Sequence, residues 1–138
     1  MLHAGRRLAE WPAQVFLWIS AAYLLILGVG SLAIGLDFSV GDDVATDHLF
    51  GVFETNGWHG LAGLLLAFAS LVFVIGRRAR DGALVIGASL LASGVVLLLS
   101  GDGSIALGLI PVDAADAVTL HILPGVVGLV CFYATAQR

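Results

Sequence analysis

Glu54-Thr55-Asn56-Gly57-Trp58-His59-Gly60-Leu61-Ala62-Gly63 is the place where an acid-bearing loop turns into a long apolar run, with a histidine inside the first turns of that run. Thr55 or Asn56 suits a helix N-cap, because a short polar side chain there accepts from the unpaired first-turn amides. Trp58 suits the boundary between water and hydrocarbon. Beyond it, Gly60, Gly63, Ala67 and Ser70 recur at steps of three, four and three, which makes one close-packing helix face. A second copy of the pattern lies at Asp116 to Gly125, where the acid is followed five residues later by His121 and then by a glycine four further on. The chain reads as two similar halves.

Working outward, 59% of the 138 residues are hydrophobic and 12% charged, with a mean hydropathy of +1.03. A soluble domain carries about 45–50% apolar and about 25% charged residues, so this is the composition of a membrane protein. Four apolar runs of about 20 residues, each long enough to cross a hydrocarbon core about 30 Å thick, leave nothing for a separate soluble domain. The expected spans are residues 13–36, 57–76, 82–100 and 114–137, forming a single domain over 1–138. The expected fold is an all-α membrane protein, an antiparallel four-transmembrane-helix bundle. Two helical hairpins compose it, related by a pseudo-twofold axis along the membrane normal.

Charge sets the expected orientation. The chain has no lysine, and its arginines stand at Arg6, Arg7, Arg77, Arg78, Arg80 and Arg138, in the two tails and the second connection. Four crossings put those three segments on one side, which the positive-inside tendency makes cytoplasmic, with both termini. Glu10 and Asp81 share that side, whereas Asp37, Asp42, Asp43, Asp47, Glu54, Asp102, Asp113 and Asp116 fall on the other. Two arginines ahead of the first run also fit a signal peptide, but about 23 apolar residues exceed the usual h-region of about 7–15. Cys131 is alone, so no disulfide is expected, and it reads as a small buried hydrophobe.

The connections and helix 4 carry further expectations. In residues 37–55, Thr46 or Asp47 is placed to cap a short helix bearing Leu49-Phe50-Gly51-Val52-Phe53 along the outer surface. Residues 105–110 are too short to span and are expected to pack at the outer boundary. On helix 3, Ala83, Gly87 and Gly94 form a small-residue seam. Asp113 and Asp116 have a capping-box-like spacing at the start of helix 4. Pro124 has no amide for the carbonyl of Leu120, so a kink is expected there, with a neighbouring helix supplying the missing donor. Tyr23 falls mid-membrane, where its hydroxyl needs a partner on another helix.

His59, Gly63, Leu66 and Ser70 align on one helix face, as do His121, Gly125, Gly128 and Phe132. Both histidines enter from the outer side, so they are expected at similar depth and pointing inward. The plainest role for each is structural, bonding a carbonyl, a serine or an acid and locking the helix tops together, with Asn56, Asp113 and Tyr23 as further structural polar groups. A metal site would take His59 and His121 with Glu54, Asp116 or Asp113. A haem would need both imidazoles on opposite sides of one iron, and proton relay is the third use of a histidine pair. No HExxH-type motif or catalytic constellation is present, and no cofactor is expected outright.

The segment Leu49 to His59, with Ile110-Pro111-Val112-Asp113-Ala114-Ala115-Asp116 and His121, resembles the family catalogued as domain of unknown function 4383. That resemblance implies a four-crossing fold in a prokaryotic plasma membrane and no activity, since the family is uncharacterised. His59 and His121 match its helix-2 and helix-4 histidines. Family members often carry another histidine four residues after the first, and Gly63 stands there instead, so the resemblance does not supply a three-histidine site. The functional expectation is a non-enzymatic scaffold or accessory subunit of a membrane complex, whose partners are the lipid bilayer and other subunits or a second copy, and no nucleic acid. The alternative is a binding or transport protein with an outer-side site for metal, haem or proton formed by His59 and His121.

Overall fold

The computed structural model describes residues 2–44, 46–101, 103–111 and 113–136, without the side chains of 2–10, 42 and 136. Expectations resting on Asp102, Val112, residue 137 and Arg138, or on the side chains of Arg6, Arg7, Glu10 and Asp42, lie outside the described residues. Among them, four helices are long and apolar enough to cross a membrane, with mean hydropathies of 2.1, 2.1, 2.4 and 1.9. They are α1 (Leu2–Ile34), α2 (Gly57–Ile75), α3 (Ala79–Ser100) and α4, which is built from Ala114–Asp116, a π-helical segment Ala117–Ile122 and Leu123–Ala136. This is the pattern of a multi-pass membrane protein.

The helix bounds depart from expectation at one end. α1 starts well before Pro12, which lies inside it. Proline frees the carbonyl four residues earlier. That carbonyl, of Leu8, precedes the apolar span that begins at Trp11.

The loops are the larger correction. Instead of a surface helix, residues 47–55 form a β-hairpin, β1 (Asp47–Leu49) paired antiparallel with β2 (Phe53–Thr55). Residues 105–111 form a second, shorter ribbon, β3 (Ile105–Ala106) with β4 (Ile110–Pro111). Both turn on a residue pair with left-handed backbone, Phe50 and Gly51 at φ 56° and 71°, Leu107 and Gly108 at φ 56° and 67°. Two consecutive positive φ values define the turn whose twist matches that of paired strands. The alternating Leu49, Phe53 and Thr55 thus serve a ribbon rather than an amphipathic helix. Leu49 is buried, its methyl lying where a side chain on Gly30 would be.

Glycine sets the helix packing. α2 buries Gly57, Gly60, Gly63, Ala67 and Ser70, the face read from the spacing. A Cβ on Gly63 would meet Gly28 Cα at 3.3 Å, and one on Gly87 of α3 would meet Gly128 Cα of α4 at 3.0 Å. Backbones this close gain van der Waals contact that lipid, itself apolar, does not drive by the hydrophobic effect. The main packed cluster includes Phe16, Leu17, Leu24, Ala83, Ile86 and Leu90. A separate small cluster, Leu97, Ala106 and Ala117, sits beneath the second ribbon.

Candidate functional site

The start of α2 is organised by Asn56, which is fully buried. Its Oδ1 accepts from the His59 amide at 3.0 Å, capping the helix, and its Nδ2 donates to Leu109 O at 2.6 Å. One side chain therefore starts α2 and ties it to the second ribbon. Asp113 does the equivalent for α4, its Oδ1 accepting from the amides of Ala115 at 2.7 Å and Asp116 at 3.0 Å. Asp116 does not complete a capping box. It is buried and its Oδ2 accepts from the Glu54 amide of β2 at 2.9 Å. With Gly41 N donating to Gly108 O at 2.8 Å, the ribbons and the 37–44 segment form one knitted roof over this end of the bundle.

These caps redraw the internal repeat. Gly51 precedes the cap Asn56 as Gly108 precedes the cap Asp113, and the third residue after each cap is His59 in one half and Asp116 in the other. The structural counterpart of His59 is thus Asp116, not His121. His121 comes five residues later, a step that would turn it about 140° away from Asp116 on an α-helix. The π segment, in which Leu123 N bonds back to Val118 O, brings residues five apart onto one face instead. Local unwinding of this kind is what carries the His121 ring inward.

Pro124 lies one turn further on. The carbonyl it cannot serve, Leu120 O, accepts from Tyr23 Oη of α1 at 3.1 Å. The chain just before Pro124 is π-helical, and the carbonyl that the proline cannot serve takes the Tyr23 hydroxyl of another helix.

The two histidines meet. Their ring centroids are 5.5 Å apart with planes inclined by 27°, a stacked pair. His121 Nδ1 lies 2.9 Å from Ser93 Oγ, and that hydroxyl also donates to Leu90 O at 2.9 Å. A serine has one proton to give, so with it on Leu90 O the imidazole is the donor, placing the His121 proton on Nδ1 and a lone pair on Nε2. His59 differs. The Glu54 main chain approaches its ring, yet among the described residues Nδ1 is the buried side-chain polar atom that makes no hydrogen bond.

Both rings line a cavity of about 480 Å³ situated between the two packed clusters. Its walls are almost wholly apolar, with Leu24, Leu66, Leu90, Leu97 and Leu120 among them, and the polar groups it presents are His59, His121, Ser89 and Ser93. It opens sideways: Leu65 of α2, Ala92 and Val96 of α3 and Leu107 at the ribbon tip all line it and are all exposed on the surface of the bundle. Sequence reading gives the serines of helix 3, Ser89 and Ser93, two uses, a bond back to their own helix or one across to a neighbour, and Ser93 makes both.

The other anticipated site residues stand apart from the cavity. Neither Glu54 nor Asp116 lines it, and among the described residues no three His, Cys, Asp or Glu side chains gather as a metal would require. The stacked rings turn faces toward each other, so the pair as found does not present two nitrogens to one haem iron from opposite sides. No family model, no curated protein and no solved structure matches the chain.

Proposed function

We propose that this is a non-enzymatic integral membrane protein that binds a small ligand in the cavity at His59 and His121, the second of the two sequence expectations. The observation that carries it is the cavity itself, about 480 Å³ of apolar space converging on a few polar groups. Ligand sites have this form and about this size, roughly 300–1,000 Å³. The scaffold reading draws on small-residue faces and the outer acidic loop for partner contact; of the small residues, Gly28 packs against Gly63 and Gly87 against Gly128 within the chain. What favours a scaffold is the knitted roof, a rigid surface for another subunit or a second copy.

The rest of the proposal follows the charge pattern for orientation and the family resemblance for the prokaryotic membrane. The bundle is two antiparallel hairpins in a prokaryotic plasma membrane, with its arginine-bearing ends and both termini cytoplasmic and the ribbon roof outside. Kinship with the uncharacterised four-helix family rests on Leu49 to His59 and on the Ile110 to Asp116 segment. The test is purification from native membranes followed by organic extraction and mass spectrometry. A small molecule at fixed stoichiometry, absent from a folded Ala62→Phe variant whose new ring fills the cavity, supports binding. A molecule-free wild type that copurifies with a fixed protein partner supports the scaffold.

A further inference from the structure

We infer that the cavity takes the hydrocarbon chain of a bilayer lipid, which enters sideways between α2 and α3 from the leaflet on the ribbon side while its head group stays outside. The inference rests on the binding reading above and names the class of ligand for the same pocket.

The shape of the gap follows from where α2 and α3 touch. Toward the turn that joins them they are in contact: a Cβ on Gly82 of α3 would lie 2.5 Å from Phe73 Cβ of α2. Toward the ribbons they part, and the cavity takes its walls from the stretch His59 to Leu66 on one helix and Ser89 to Leu97 on the other. Leu65, Ala92 and Val96 line the gap and are exposed on the outside of the bundle, so it opens laterally, between two segments apolar enough to span a membrane. Hydrocarbon is the solvent at such an opening.

Depth narrows the source. At about 1.5 Å per residue, each of the two wall stretches is about 11–12 Å long. Both lie at the ribbon ends of their helices. A hydrocarbon core about 30 Å thick gives each leaflet about 15 Å. The opening thus matches the chain region of one leaflet, and the lipid chains there run alongside the helices, as the gap does.

Chemistry and size select the occupant. The walls are almost wholly apolar, and no arginine, lysine, aspartate or glutamate lines them. A charged head brought inside would lose its water with no opposite charge on the protein to replace it, which costs more than the contact returns. A head left at the ribbon edge stays hydrated. Ser93 and His121 satisfy each other within the wall and ask nothing of a ligand. A partner's transmembrane helix is about 10 Å across, and about 480 Å³ would hold only about one turn of it. A single alkyl chain is narrow enough to thread the same space, and it supplies the dispersion contacts that an empty gap forfeits.

The experiment is photolabelling of the full chain in nanodiscs of phosphatidylcholine that carries a diazirine on one acyl chain, either near the ester or near the chain end, followed by peptide mass spectrometry. In the wild type the carbene should mark Ile110 from the first position and Leu66 from the second, both being half-buried residues of the cavity wall. In Ala62→Phe, whose ring occupies the cavity, those marks should be lost, while Phe68 and Leu99, exposed residues that do not line it, are marked in both proteins. Marks confined to exposed residues, marks on Ile110 and Leu66 that persist in a folded Ala62→Phe, or one pattern from both label positions overturns the inference. If the wild type then still yields a small molecule from its native membranes, the pocket remains a binding site for another ligand; if it yields none, the binding reading falls as well. Where Ala62→Phe does not fold, the two label positions in the wild type decide the matter.

Discussion

Removing the Tyr23 hydroxyl tests the link between Pro124, the π segment and the position of His121. Tyr23 Oη donates to Leu120 O at 3.1 Å, and Leu120 is 8% exposed, so in Tyr23→Phe that carbonyl loses a donor that water does not replace, while Pro124 offers no amide four residues on. Orphaning a buried acceptor costs about 1–3 kcal/mol in soluble proteins. In membranes the cost is lower, averaging about 0.6 and reaching about 1.7 kcal/mol, because the unfolded chain in lipid also finds partners. A destabilisation of about 1 kcal/mol, roughly fivefold in the unfolding constant, is the expected result. The informative comparison is with Pro124→Ala, which restores an amide four residues after Leu120 and so gives the carbonyl an alternative donor. In that background Tyr23→Phe should cost less than about 0.3 kcal/mol. The assay is reversible unfolding in mixed micelles of increasing sodium dodecyl sulfate fraction, followed by circular dichroism on all four members of the cycle. Costs that add to within about 0.3 kcal/mol, as independent sites do, would refute the reasoning.

Three further outcomes follow from the geometry. Gly125→Ala places a Cβ 2.5 Å from Leu91 N, against backbone that cannot move aside, and the same unfolding assay should show a loss of about 1–3 kcal/mol. Asn56→Ala removes both the cap on α2 and the donor to Leu109 O, for a loss of about 1–3 kcal/mol, and hydrogen exchange at the His59 amide should quicken. Phe50→Asn puts at φ 56° a residue that accepts left-handed backbone, next to Gly51, and should leave stability unchanged or raise it by up to about 1 kcal/mol. A loss there would mean that Phe50, which is 68% exposed, is held by contact with the bilayer surface.

Much of this architecture is written in local pattern. Length and hydropathy mark the four spans, and the three-four-three spacing of Gly60, Gly63, Ala67 and Ser70 marks the buried face of α2, because helical periodicity and close approach are properties of the segment itself. Pro124 and Tyr23 each announced an unmet need, and the structure pairs them. The ribbons were hidden for the opposite reason. Their turns are Phe50-Gly51 and Leu107-Gly108, and a bulky first residue at positive φ carries none of the usual Asn-Gly signal. The meeting of His59 and His121 was hidden too, because it depends on a π segment that shifts the register of α4, and a repeat read at constant helical pitch matched His121 to the wrong counterpart. The cavity is a gap between clusters, and no single stretch of sequence encodes a gap.

The decisive measurement is native mass spectrometry of the protein taken from its own membranes, the wild type beside Ala62→Phe. A small molecule at one per chain in the wild type, and none in a folded Ala62→Phe whose ring fills the cavity, is the expected result. A wild type that carries no small molecule, or a folded variant that carries it equally, would contradict the account.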